Sequence, residues 1–478
     1  MLNNMWTKEQ LDHGWNTIQE VSKQYNLDYY RPHFEIVTFE DMLKIFSQHM
    51  PICYEHWSFG KKYVQNYNQY KNNTIGMAAE VIFNTNPALC YLLDNNSYVL
   101  QMLVMIHAAI GHSSFNKNNY LFKEHTQPKT MLSFLQQFRQ VVHEYETVYG
   151  FKNVEELLDC CHALSLNSIS HNVVHPTRRD GLHVKDVDLI HTTLDSIKNK
   201  KTKTHLKNRL HEENLVKFIA DNSPMLKAWQ KDILKRYCYL QQYLYPQMLT
   251  KIMNEGYATF WQMEIGEQLQ RKNYFDDAQW IEYLTFQSQL IHQPTYDSGG
   301  YYGFNPYNLG YTIFRDIKRI CTEPTEEDKR WFPELIGKNW VEEIKYAAYN
   351  FKDSGFISQY LSPKVIRELG LFSIVFDEDK EYNVVEDIQD DEGYKNIRTV
   401  LADQHDLTLA VPSIYIEGWD PKRSRSLFLV CDIPDPDKVL LDSSQLVFKA
   451  LKKLWPHPIY IKVHRDGEFS EQVEIKYD

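Results

Sequence analysis

Apolar and charged residues alternate at helical spacing over residues 7–25. Thr38 stands as an N-cap before a second helical pattern at 39–46, with Glu40 and Asp41 in its first turn. Residues 79–87 are β-branched and end on Asn86-Pro87, which predicts a short strand. A long apolar stretch follows over 88–115, and helical patterns return at 129–149 and 154–164. Between about 168 and 213 the chain turns polar and basic and loses any apolar stripe, as expected of a surface insertion. A second helical block covers 223–271, broken near Pro246, and further helices are expected up to Leu369. Beyond it the period shortens to that of strands, at 371–376, 413–417, 426–432, 458–463 and 472–477, with helical stretches at 393–406 and 443–454. This ordering predicts an α+β protein: a large, mainly α-helical N-terminal domain (1–369) and a small C-terminal α+β domain (370–478). The acidic connection between 377 and 392 reads as a solvated loop, because it lacks the spaced oxygen ligands around a glycine that calcium needs.

A chain of 478 residues with 43% hydrophobic residues, 32 Tyr, 24 Phe and 10 Trp has ample material for more than one core. Its formal charge of −11 opposes binding to polyanions, so nucleic acid and anionic membrane surfaces are not expected partners. The seven cysteines show no CxxC spacing and predict reduced thiols. No basic segment followed by an apolar one opens the chain, and the most apolar run, 98–111, is interrupted by Gln101 and His107 and falls short of the roughly 20 residues of a spanning helix. A cytoplasmic protein without a transmembrane segment is the expectation.

Chemistry concentrates in few places. His107 and His112 are five apart, which on a regular helix separates their directions by about 140°. Shared ligation of one ion therefore requires a π-bulge or a helix that ends near Gly111; the alternative is a pair of satisfied core histidines. Ala108 follows His107, so the glutamate base of an HExxH motif is missing. Downstream, Asn254-Glu255-Gly256 resembles the glutamate helix of gluzincin peptidases, and Glu255, Thr259 and Gln262 share one helix face. Glu255 is then either a third metal ligand or a buried carboxylate paired with a base. His162 ends a helical pattern, either to complete the ligand set or to cap its helix. His56, among aromatics, is a packing or pocket-lining residue. The Gly-, Asn- and Tyr-rich stretch 293–310 suits a cleft or a packed loop, and neither a P-loop, a dinucleotide fingerprint nor a GxSxG elbow is present.

His56-Trp-Ser-Phe-Gly-Lys, the block Glu80 to Pro87, the segment from His107 to Phe122, Cys161-His-Ala-Leu, Met253-Asn-Glu-Gly, Asn305-Pro-Tyr-Asn-Leu-Gly and Asp316-Ile-Lys-Arg-Ile-Cys resemble, in order, the signature blocks of the stage V sporulation protein R (SpoVR) family. The resemblance implies a cytoplasmic protein named for spore cortex formation, and in non-sporulating relatives a stress setting near a PrkA-type serine kinase and a von Willebrand A-like protein. Two readings follow. In one, His107, His112 and Glu255 hold a metal, with zinc as the candidate ion, His162 assisting and Glu80 carrying protons in hydrolase-like chemistry; in the other, the chain is a non-enzymatic partner of the kinase. Tyr257 and Gln262 depart from the family's usual Trp and His. Gln262 can replace a histidine only as a neutral hydrogen-bonding group.

Overall fold

The structure is a computed structural model describing residues 6–48, 50, 52–72, 80–170, 214–294, 303–377, 382–386, 390–406, 413–433, 444–465 and 468–475. Nearly all of the basic insertion expected at 168–213 lies outside them, as does the middle of the 293–310 stretch. The described chain is mainly helical with three small sheets, the mixture its pattern predicts. The boundary expected at 369/370 follows the change of residue pattern, whereas compactness divides the chain into residues 1–140 with 246–406 and residues 141–245 with 407–478.

In the first unit, Thr7 caps the helix Lys8–Ser22 through a capping box with Gln10, and Thr38 caps Phe39–Ser47. The strand Ala88–Leu93 runs parallel to Pro32–Val37 and antiparallel to Glu80–Phe83. All six residues of this central strand are buried, so its pattern is a continuous apolar run rather than an alternation, and it merges in sequence with the helix that follows. That helix, Tyr98–Met105, continues as a π-helix over Ile106–His112 and as an α-helix over Ser113–Asn118. The 21-residue run is long and apolar enough to cross a membrane, which corrects the shorter span expected from 98–111. Its most apolar window is 89% buried inside the protein, so the core accounts for its composition.

Lys251–Arg271 is the central helix of this unit. Met253, Tyr257, Ala258, Phe260, Trp261, Ile265 and Leu269 are buried, and they surround the helix so fully that little amphipathic stripe is left. The break expected near Pro246 falls instead at Thr250, because Pro246 is accommodated inside Ala228–Leu249. The central helix packs against the π segment and against Pro306–Thr322. Both crossings are close because of glycines: a Cβ on Gly111 would lie 2.5 Å from Ala258 Cα, and one on Gly256 would overlap the backbone of Gly310.

Between the two acidic runs of the connection, Tyr382–Glu386 pairs antiparallel with Ser373–Asp377. Asp391–Gln404 follows as a helix packed on Asp353–Tyr360.

In the second unit the strands Ser413–Trp419, Leu427–Ile433, Ile459–Arg465 and Glu468–Ile475 form a four-stranded sheet in that order, with a parallel central pair. The helix Ser444–Leu454 lies within the connection of that pair and packs on Phe151–Ala163. Trp455 is fully buried, stacks on Phe218 and donates its indole N–H to the Arg425 carbonyl at 2.9 Å.

Candidate metal centre

The π turn solves the spacing problem of His107 and His112. Its i→i+5 bonding lengthens each turn by one residue, so side chains five apart come onto one face. The two imidazole centroids are 4.6 Å apart and nearly perpendicular. Glu255, on the central helix, faces them: its Oε2 is 3.4 Å from His112 Nε2 and 3.6 Å from His107 Nε2. One ligand atom from each of the three residues lies within 4.8 Å of the others.

Each imidazole is held from behind by an amide. His107 Nδ1 is 2.8 Å from Gln262 Oε1, and His112 Nδ1 is 2.9 Å from Asn254 Oδ1. A carbonyl oxygen only accepts, so each ring donates from Nδ1 and turns its Nε2 toward Glu255. Such outer partners orient the ligands of known metal sites. Gln262 therefore takes the part of a neutral hydrogen-bonding group behind a candidate ligand, the only role open to it in place of a histidine.

The electrostatics match this arrangement. Burial opposes ionisation of Glu255, yet the neighbouring imidazoles, His112 foremost, hold its carboxyl well below the usual carboxylate range. Burial likewise pulls the His112 imidazolium down, and the nearby charge of Glu255, helped by Asn254 and Glu80, reverses this and raises it. Glu80, at the start of its strand, is pushed up by burial against the opposing pull of His107 and His112. It does not belong to the three-residue cluster, but it interacts with all three members.

His162 and His56 do not join them. His162, on Phe151–Ala163 with its ring 5.9 Å from that of Tyr237, is no member of the His107, His112 and Glu255 cluster; its sequence signal was only that of one more imidazole. His56 is the N-cap of Trp57–Lys71, where Nδ1 accepts from the Ser58 amide at 3.3 Å. It lines a separate groove of about 470 Å³ with Phe59 and Tyr63.

Two contributors escaped the sequence reading. Tyr307 stacks on His107 with centroids 6.1 Å apart, and its hydroxyl reaches the Glu255 carboxylate. It stands in the Asn305-Pro-Tyr block, where nothing in the sequence set it apart from the other tyrosines of that stretch. Asp353 lies 102 residues beyond Lys251 in sequence and caps that residue's helix, accepting from the amides of Ile252 at 2.9 Å and Met253 at 2.8 Å. Thr250, the local cap position, makes no side-chain cap. Burial pushes the Asp353 carboxyl up to about 7 against the pull of those amides. Asp353→Ala should cost about 1–2 kcal/mol, because two buried amides lose their acceptor, and urea unfolding measures it.

Fold and site together define a mainly helical α+β protein in which two histidines and a glutamate converge in a largely buried cluster. The comparisons agree on its kinship. The SpoVR like protein family matches residues 5–410. A protein of Escherichia coli (strain K12), described as "Uncharacterized protein YcgB", is 37% identical over 484 aligned positions, covering 98% of this chain and 94% of the relative. The chain belongs to the SpoVR family. No solved structure matches it.

Proposed function

We propose that the chain is a metal-dependent, hydrolase-like protein in which His107, His112 and Glu255 hold one divalent ion, zinc foremost, and Glu80 moves protons. The observation that carries this reading is the spacing of the ligand atoms. Two ligands each about 2.0–2.1 Å from a tetrahedral zinc stand roughly 3.3 Å apart, and the two Nε2 to Oε2 distances are 3.4 and 3.6 Å. Glu255 Oε2 is moreover buried without a hydrogen-bond partner among the described residues, which is costly for a carboxylate unless a cation completes its surroundings.

A two-histidine, one-glutamate set is that of catalytic rather than structural zinc, because three protein ligands leave a position open. When bound, the ion supplies Lewis acidity and lowers the pKa of a coordinated water. The rest falls to the chain. Asn254 and Gln262 hold the imidazole tautomers, and Tyr307 steadies Glu255 and covers one face of His107. Glu80 takes the place of the base missing after His107, its raised pKa bringing it nearer neutrality, where an acid/base group exchanges protons best. A setting in envelope, spore-cortex or stress physiology is carried over from the family resemblance.

Elemental analysis of the purified intact chain tests the reading. About one equivalent of zinc, manganese or iron per chain is expected, lost in His107→Ala and Glu255→Ala and retained in Glu80→Gln. An intact protein that holds no divalent ion even after incubation with zinc overturns it.

A further inference from the structure

We propose that the first unit carries a second site, a cleft for a neutral, polyhydroxylated ligand of the oligosaccharide class. The cleft has a volume of about 800 Å³ and runs along the helix Trp340–Asn350. That is toward the upper end of the roughly 300–1,000 Å³ of small-molecule sites, with room for more than one sugar ring. It shares no lining residue with the metal centre.

Its charges select against an ionic ligand. Lys338 pairs with Glu343 at 3.1 Å and Lys345 with Glu342 at 2.9 Å, and the remaining carboxylate, Glu334, lies within electrostatic reach of the Arg398 guanidinium. This pairwise cancellation leaves little net field to hold an anion or a cation. Two of the paired groups, Glu343 and Lys345, are nevertheless almost fully buried in the wall, and an apolar ligand would strip water from them without replacing its hydrogen bonds. A sugar hydroxyl replaces them. It donates to a carboxylate and accepts from an ammonium, and each ion pair sets one of each side by side. Capacity remains for such bonds: among the described residues Lys345 spends one of its three donors, on Glu342, and Glu343 accepts only from Lys338 and the Tyr360 hydroxyl.

Sugars also present apolar C–H faces, which pack on aromatic rings. Tyr346 offers such a ring at the cleft: it is 53% exposed, yet Phe351 holds it edge-on at 6.1 Å and itself meets Tyr360 edge-on at 5.6 Å. Tyr349, three residues further along the same helix, is anchored through its hydroxyl to Ser114 at 3.4 Å. The aromatic wall is therefore in place before a ligand arrives, and little side-chain freedom is lost on binding.

An array of neutral oligosaccharides printed beside uronic-acid and sulfated ones tests the proposal on the intact chain, with titration calorimetry of whatever binds. At least one neutral oligosaccharide should bind. Tyr346→Ala should weaken it roughly 2–10-fold, the worth of one aromatic contact, whereas Tyr346→Phe should keep the wild-type affinity, because the ring rather than its hydroxyl is the platform. Tyr346 is largely on the surface, so the thermal midpoint and the zinc content of Tyr346→Ala should match those of the wild type. The proposal is overturned if no neutral oligosaccharide binds, if the charged ones bind in preference, or if Tyr346→Ala binds as tightly as the wild type. A chain that holds no zinc and still binds the neutral sugars sinks the metal reading and leaves the cleft standing.

Discussion

Gly256→Ala is expected to destabilise the protein by on the order of 3 kcal/mol, although alanine is the better helix former. Overpacking a close-packed site costs about 1–3 kcal/mol and occasionally more, and here the added Cβ meets the Cα and carbonyl carbon of Gly310 and comes within 2.7 Å of the Tyr311 amide nitrogen. Backbone atoms cannot rotate out of the way, so Lys251–Arg271 and Pro306–Thr322 must part. Parting them loosens the packing of Tyr257 and Phe260 on Phe314. It also separates Glu255 on one helix from Tyr307 on the other, so zinc retention should fall with stability. Gly60→Ala is the control: nothing lies within 4 Å of its Cβ, so only the helix-propensity gain of up to about 1 kcal/mol is expected. Urea unfolding of the two variants measures the difference, and equal midpoints would show that the glycine crossing is not tight.

Asp328→Ala should cost about 3 kcal/mol, the low end for removing one partner of a buried ion pair. Asp328 is almost fully buried and receives both terminal nitrogens of Arg319, at 2.7 and 2.8 Å, together with the Thr325 hydroxyl at 2.6 Å and its amide at 2.7 Å. Arg319 keeps Asp316 at 2.7 Å, which limits the loss. Burial alone would push the Asp328 carboxyl up, and the Arg319 and Thr325 bonds outweigh it and hold it at about 2. A carboxyl depressed on folding stabilises the native state above its ordinary pKa of 3.8, and that contribution is lost as pH falls toward 2. The shift corresponds to on the order of 1–2 kcal/mol after a discount for solvent screening around the partly exposed Arg319. Chemical unfolding between neutral pH and pH about 3 should therefore show the wild type losing more stability than Asp328→Ala, which has no carboxyl to protonate. Parallel acid dependence of the two would sink the assignment.

Elements with local signals were legible in the sequence. Thr38 marked a helix start that the structure places at Phe39, because a cap is a property of three or four neighbouring residues. The strands at 413–419, 427–433 and 459–465 also announced themselves by composition. Ala88–Leu93 did not, since a strand buried on both faces has no alternation to separate it from the apolar helix behind it. The C-terminal sheet was read, but not the recruitment of 141–245 to its compact unit, which depends on distant contacts such as Phe218 on Trp455. At the site, imidazoles and a carboxylate stand out by chemistry, and shared ligation by His107 and His112, five apart, already required a π-bulge or a helix end near Gly111. Asp353 was invisible, because an ordinary aspartate gains its role only from what long-range packing sets beside it.

A π turn is an α-helical turn with one residue inserted. Deleting Ala109 would shorten the interval between the two imidazoles to four, the register of an HxxxH pair on a plain helix, and would leave everything beyond on nearly its present faces, because the wider turn already absorbs the extra residue. Ser114 would keep its place beside Tyr257 and Tyr349, whose hydroxyls it meets at 3.2 and 3.4 Å. The widened coil thus lets one continuous rod carry an additional residue between its two imidazoles without turning either flank out of step.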